Sequence, residues 1–291
     1  MRNAHQKMRL ALMVGACLAT SIVTAETQVK SGETIAFLGD SITEQGARSS
    51  SGYVNLVEAG LKANGIEVTV IPAGRSGHKS NQMLERLERS VLEKNPQWMT
   101  LSCGVNDVWH RERGVSLEDY KTNITEIVDR CDAADVNVII LTATPIRESD
   151  NELNQKLAGY NEFLRELAKS RGLPLADTSA AFWEVIEANA ETSYSNNYLT
   201  SDGVHMNPLG DLVMATEVLE AFGLDDAQMA TAREGMMRKS ARINAGTNVS
   251  LEDYLTLVTI AKEREESVGK LLNLTLKDGV RTELDAAGSA Q

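Results

Sequence analysis

The sequence predicts an α/β fold: a three-layer α/β/α sandwich around a five-stranded parallel sheet. Two observations carry this. Between Thr34 and Phe222, short apolar runs alternate with amphipathic segments of helical period, the pattern of successive βαβ units. The apolar runs are also nearly continuous, as in Val136-Asn137-Val138-Ile139-Ile140-Leu141, and strands covered by helices on both faces read that way.

Taken in order, the chain opens with Arg2, Lys7 and Arg9, an apolar run from Leu10 to Val23, and then Val23-Thr24-Ala25, which places small or apolar residues where signal peptidase requires them. This predicts export to the periplasm or the extracellular space, with cleavage near Ala25. The run is shorter than the roughly 20 apolar residues of a membrane span, so no stable membrane insertion is expected after cleavage. Val14-Gly15-Ala16-Cys17 loosely resembles a lipoprotein cleavage box and leaves anchoring at Cys17 as a minor alternative. Apolar sequence continuing past Cys17 argues against it.

Strands are expected over residues 35–38, 68–71, 98–102, 136–141 and 173–176. Four apolar stripes mark helices between them: Tyr53, Leu56, Val57 and Leu61; Met83, Leu84, Leu87 and Val91; Leu117, Tyr120, Ile124, Ile127 and Val128; Leu153, Leu157, Tyr160, Leu164 and Leu167. Ser116 followed by Asp119 has the form of a capping box, and Asn207 before Pro208 supplies an N-cap with proline at the first helical position. After Phe222 the strand-like runs stop. Helices are expected over 225–241 and 251–267, with fraying from Asp285 onward. The expected organisation is a leader at 1–25, the main domain at 26–223 and a helical extension at 224–291.

Composition narrows the function classes. The net charge is −12, and removal of a leader holding Arg2, Lys7 and Arg9 leaves 26 basic against 41 acidic side chains, or −15. Such a surface repels nucleic-acid phosphates, so nucleic acid is excluded as a partner. Of the cysteines, Cys103 and Cys131 lie beyond the leader. They read as buried free thiols, with pairing in an oxidising compartment as the alternative. Cys103, His78, His110 and His205 lack metal-ligand spacing, and neither a metal nor a cofactor is expected.

In open α/β sheets the ligand site lies beyond the carboxyl ends of the strands. There the sequence reads Gly39-Asp40-Ser41-Ile42 after the first strand, Ala73-Gly74-Arg75-Ser76-Gly77 after the second, Gly104-Val105-Asn106-Asp107 after the third, and Asp202-Gly203-Val204-His205 past the fifth. In this order, across residues 34–222, the set resembles the four sequence blocks of the SGNH/GDSL hydrolase superfamily. The resemblance implies the flavodoxin-like sandwich of those enzymes, a catalytic triad of Ser41, His205 and Asp202, and an oxyanion hole from the backbones of Ser41 and Gly74 and the side chain of Asn106. It departs from the superfamily pattern at Pro72-Ala73, where relatives often carry Asn-Arg, and at His78, where an aspartate is frequent.

The residue types suit this chemistry on their own terms. A hydroxyl is a weak nucleophile until a neighbouring base takes its proton, and His205 has a carboxylate three residues earlier to orient it. Negative charge developing on an ester carbonyl oxygen calls for waiting donors, which two tight-turn amides and an Asn side chain can supply. Asp40 and Asp107 read as turn-structuring carboxylates rather than reacting groups.

Each piece also has an ordinary reading. Gly-Asp-Ser is a common turn, Gly74 can serve a turn, Asn106 can cap a helix, and Asp202 with His205 can be a surface ion pair. It is the joint occurrence at strand ends, in order, that favours acyl transfer. Among enzymes of this resemblance are carbohydrate acetylesterases, lysophospholipases and thioesterases. Arg75, His78, Lys79, His110, Arg111, Arg113 and Arg147 gather positive charge near the strand ends, with Trp109 offering an aromatic face. Of these, Arg75, His78, Trp109 and His110 are the candidate substrate-binding residues. The expected substrate is a polysaccharide or small-molecule ester, most simply an O-acetylated carbohydrate. A lipolytic enzyme or thioesterase, acyl transfer to a sugar, and a non-catalytic binding protein remain the alternatives, and the oligomeric state is open.

Overall fold

The computed structural model describes residues 27–189, 198–241 and 250–288. The expected leader, 1–25, lies outside them. The chain divides into two compact units, one through Arg242 and one from Ile243.

The first unit holds a single sheet of β1 (Thr34–Gly39), β2 (Thr69–Gly74), β3 (Trp98–Ser102), β4 (Asn137–Leu141) and β5 (Leu175–Ala176), all parallel, in the order β2-β1-β3-β4-β5. Around it run α1 (Ser41–Arg48), α2 (Tyr53–Ala63), α3 (Ser80–Ser90), α4 (Val105–Trp109), α5 (Leu117–Ala133), α6 (Glu152–Arg171), α7 (Thr178–Ala188), α8 (Pro208–Ala221) and α9 (Asp226–Met237). This is the expected α/β sandwich. β1 and β3 are buried almost end to end, as central strands between helical layers must be. The stripes of α2, α3, α5 and α6 face that core, with Tyr53, Met83, Leu87, Tyr120 and Tyr160 almost completely inaccessible to solvent.

The strand limits differ from the periodicity reading for local reasons. β2 runs on to Gly74 instead of ending at Ile71, because β1 continues beside it in register from Thr34↔Thr69 to Gly39↔Gly74. Pro72 does not interrupt it. The bonds from Thr69 N to Glu33 O and from Arg75 N to Gly39 O put odd-numbered residues of β2 on the β1 side, so proline's missing N–H falls on the open edge. β4 begins one residue late because Val136 N closes the turn after α5 on Cys131 O. β5 loses Leu173, whose N–H bonds back to Ala168 O beyond a left-handed Gly172 that terminates α6.

Side chains fix the helix starts. Asn207 accepts from Leu209 N and Gly210 N ahead of Pro208. Ser116 Oγ accepts from Asp119 N at 3.1 Å, but the return contact runs from the Ser116 hydroxyl to Asp119, not from its backbone. α7 carries no clear apolar stripe in sequence; its cap is Asp177, accepting from Ala180 N. α9 packs on α2 within the first unit, where an ideal Cβ built at Gly60 would stand 3.1 Å from Ala232 Cβ.

The second unit holds α10 (Leu251–Glu263) and α11 (Val268–Gly288). α11 continues past Asp285, where fraying is expected, through Ala286 and Ala287, which are strong helix formers. Among the described residues, no helix is long and apolar enough to cross a membrane. Cys103 and Cys131 are both buried and unpaired.

Candidate active site

Parallel pairing brings the carboxyl ends of β1, β2 and β3 to one edge of the sheet. Gly39 stands beside Gly74, and Leu38 beside Leu101. Ser41 is the first residue of α1. Asp40, the N-cap, accepts from Ile42 N at 2.9 Å and so fixes the turn that presents the serine. Burial pushes the Asp40 carboxyl up to about 6, against the Ile42 hydrogen bond.

His205 arrives from 164 residues away, its Nε2 2.8 Å from Ser41 Oγ. On the other side of the ring, Nδ1 lies 2.7 Å from Asp202 Oδ2. Asp202 Oδ1 accepts from Val204 N at 3.0 Å and His205 N at 2.8 Å, a tight loop in which Gly203 takes φ 90°. Burial acts to raise the Asp202 carboxyl, but the His205 ring and these backbone donors outweigh it and hold it below the usual value. Asp202 is therefore ionised at neutral pH and accepts from Nδ1–H. That tautomer leaves Nε2 as an acceptor for the Ser41 hydroxyl. The relay is open to water on one side, with the Asp202 side chain 55% exposed.

Gly74 closes β2 against the first turn of α1. A Cβ there would sit 2.3 Å from Glu44 N and 2.7 Å from Thr43 C, so only glycine lets the serine-bearing helix approach this closely. By the alternation that spares Pro72, the Gly74 N–H points away from β1 and lies outside the ladder. Asn106, in the first turn of α4, directs Nδ2 to Asp40 Oδ2 at 3.1 Å and to the His78 carbonyl at 3.3 Å. Its amide is thereby held next to the residue preceding Ser41. Asp107 is buried and accepts from the backbone and hydroxyl of Ser80, tying α4 to α3.

The four candidate substrate-binding residues separate. His78 turns inward: its Nδ1 accepts from Arg86 Nε at 3.3 Å, and partial burial with Arg86 and Arg75 nearby lowers its pKa. It is uncharged at neutral pH and supports Asn106 through its carbonyl. Arg75 is exposed, and Trp109 and His110 are half-buried at the end of α4. The Arg147 guanidinium lies 5.4 Å from the Trp109 ring centroid, over one face of the indole.

Two further residues shape the site without a signature of their own. Arg86 is buried and donates to Ala73 O and Gly39 O, each at 2.8 Å, joining the strand ends that lead to Gly74 and Ser41. Burial, with Arg75 adding to it, pulls its pKa down to about 10. The available signal is a cation in the Met83–Leu87 stripe, on the buried face of α3. Glu148 is also buried; it accepts from Tyr198 N, from Leu199 N and from the Thr200 hydroxyl, anchoring the segment that leads into Asp202. Nothing local in the sequence marks it, because all its partners lie about 50 residues onward.

Comparison with known proteins gives the family and the reaction class. The chain is 27% identical to an acetylxylan esterase of Geobacillus stearothermophilus over 218 residues, 68% of this chain and 97% of that one. The crystal structure of that enzyme superposes with a TM-score of 0.61. A second solved acetyl xylan esterase is 30% identical, covers 65% of this chain and 98% of its own, and also has a TM-score of 0.61. Esterase TesA of Pseudomonas aeruginosa is 29% identical over 132 residues, 45% of this chain and 63% of that protein. Residues 37–212, which contain every strand-end motif described above, match the GDSL-like Lipase/Acylhydrolase family: this chain belongs to that family and is a carboxylic ester hydrolase.

Proposed function

We propose that this chain is an exported carbohydrate O-acetylesterase that works through an acyl-enzyme on Ser41. The contact that carries the reading is the continuous line from Asp202 through the His205 ring to Ser41 Oγ, at 2.7 and 2.8 Å. His205 Nε2 takes the hydroxyl proton as Ser41 attacks the ester carbonyl, and Asp202 stabilises the imidazolium that results. The oxyanion meets the backbone N–H groups of Ser41 and Gly74, and the Asn106 amide joins them by turning one N–H from the His78 carbonyl, its longer contact at 3.3 Å, to the oxyanion. His205 then protonates the departing sugar oxygen, and water attacks the acyl-enzyme to release acetate and regenerate the serine.

The acetyl group and the sugar come from the relatives. Two of them carry the name acetylxylan esterase. Solved structures of catalytic mutants of the Geobacillus enzyme alter a serine, an aspartate and a histidine, the residue types brought together here. Export after cleavage near Ala25 is part of the proposal, and similarity at 22% identity to a Bacillus subtilis protein named as a lipoprotein supports that setting. The compact unit that ends at Arg242, α9 included, is the catalytic domain in this reading. The family's description as lipase and acylhydrolase favours a second reading, a lipolytic enzyme or thioesterase.

The test is acetate release from acetylated xylo-oligosaccharides, measured beside hydrolysis of long-chain acyl esters, for the native protein and Ser41→Ala. The proposal expects acetate release that Ser41→Ala abolishes. Preference for long acyl chains selects the second reading, and equal rates for the two proteins reject a Ser41 acyl-enzyme.

A further inference from the structure

The turn at Arg147 and Glu148 lies between the two halves of the site. Both residues have left-handed backbone, φ 60° and 45°, which non-glycine residues rarely adopt. Two contacts hold it there. The Arg147 N–H donates to Gly203 O at 2.7 Å, inside the loop between Asp202 and His205, and the Glu148 carboxylate is bound by the segment entering that loop. With the backbone fixed, the Arg147 side chain is sent outward and across to Trp109. Trp109 stands one helical turn beyond Asn106 on α4. Arg147 therefore spans from the histidine loop to the helix carrying the Asn106 amide, beside the place where an ester must lie.

Its charge is unanswered. Acidic side chains outnumber Lys and Arg by 41 to 29, yet among the described residues no carboxylate lies within ion-pair distance of Arg147. Arg75, Arg111 and Arg113, which follow the second and third strands, are likewise without an ion pair among those residues. Among the described residues the Arg147 guanidinium makes no hydrogen bond, so its fork of N–H groups is free to grip a carboxylate with two parallel hydrogen bonds. The contact with Trp109 also limits the rotamers that the side chain must give up on binding.

From this we infer that Arg147 is a specificity-determining residue, which binds the carboxylate of a uronate unit carried by the acetylated carbohydrate, with Trp109 holding the guanidinium in place. The inference rests on the carbohydrate reading above. It adds a substrate class, acetylated sugar chains bearing a uronic acid.

The test compares acetate release from acetylated xylo-oligosaccharides with and without a glucuronic acid branch. Native protein is expected to favour the branched substrate by about five- to tenfold in kcat/KM, through KM, with the preference shrinking as salt rises. Arg147→Ala should bring the ratio to about one, and Arg147→Lys should leave an intermediate value, since lysine keeps the charge but not the fork. Arg147→Gly suits the left-handed backbone and removes the side chain without disturbing the turn, so it must match Arg147→Ala. A native ratio near one, or a ratio that survives in Arg147→Gly, overturns the inference while leaving the carbohydrate reading intact. Cleavage of a simple chromogenic acetate but of neither oligosaccharide overturns both.

Discussion

Ser41 Oγ and His205 Nε2 are 2.8 Å apart, although one opens the first helix of the domain and the other lies 164 residues later in a loop beyond the last strand. His205→Ala removes the acceptor for the serine proton and is expected to lower kcat on a chromogenic acetate by about 10⁴-fold or more, with the fold intact by circular dichroism. Asp202→Asn should cost less, about 10²-fold, because this carboxylate is half-exposed and water can partly replace it. If Asp202→Asn matched His205→Ala, solvent would have no share in supporting the ring.

Gly74 and Asn106 should fail in different ways. Asn106→Ala removes a side-chain donor and is expected to lower kcat by about 10²- to 10³-fold with a small change in KM. Gly74→Ala introduces a Cβ 2.3 Å from Glu44 N, so α1 must shift. A stability loss of about 1–3 kcal/mol should accompany its loss of activity. Thermal unfolding of the two variants separates the cases, and a Gly74→Ala protein as stable and active as the native one would show that β2 and α1 can move apart freely.

Glu148 tests whether the histidine loop needs an anchor. Glu148→Ala leaves the Tyr198 and Leu199 N–H groups and the Thr200 hydroxyl without their acceptor. Displacement of the loop by about an ångström is expected to lower kcat by about 10²-fold and leave KM nearly unchanged. Steady-state kinetics distinguishes this from a substrate contact, which would raise KM.

Asp211 links α8 to α2 by accepting from Tyr53 N at 2.9 Å, and burial pushes its carboxyl up to about 7 against that bond. A folded value above the ordinary 3.8 means that the folded state holds the proton more tightly than the unfolded chain. The stability this contributes is complete below about pH 3.8 and is lost as the pH rises through about 7. Asp211→Asn keeps the acceptor and cannot ionise. Urea unfolding should show the variant gaining on the native protein from about pH 4 to about pH 7, by a few kcal/mol at most, and level above that. A difference independent of pH would mean that Asp211 does not titrate in this range.

The fold was legible where its information is local. A helix shows in side chains three or four residues apart, and Tyr53, Leu56, Val57 and Leu61 meet that spacing and are all buried. A cap such as Asn207 acts over two or three residues. Strand ends were less legible, because neighbours decide them: β2 reaches Gly74 only since β1 runs beside it, and Leu173 leaves β5 to close α6. In the site, the residue types at Ser41, Gly74, Asn106, Asp202 and His205 stood out because each follows a strand or forms a short motif. Arg86 and Glu148 did not, since a charged side chain reads as exposed until its distant partners are known.

By itself, the sequence determined the alternation of strand and helix, the parallel sheet and the order of the strand-end motifs, all of which follow from spacings of a few residues. Tertiary structure alone decided what those motifs touch. It turned His78 inward to support Asn106, and it laid Arg147 over Trp109 instead of leaving that indole face open. It also used Gly74 to admit the backbone of α1. These contacts join segments tens of residues apart, and only packing sets the distance and burial on which hydrogen bonding and charge depend.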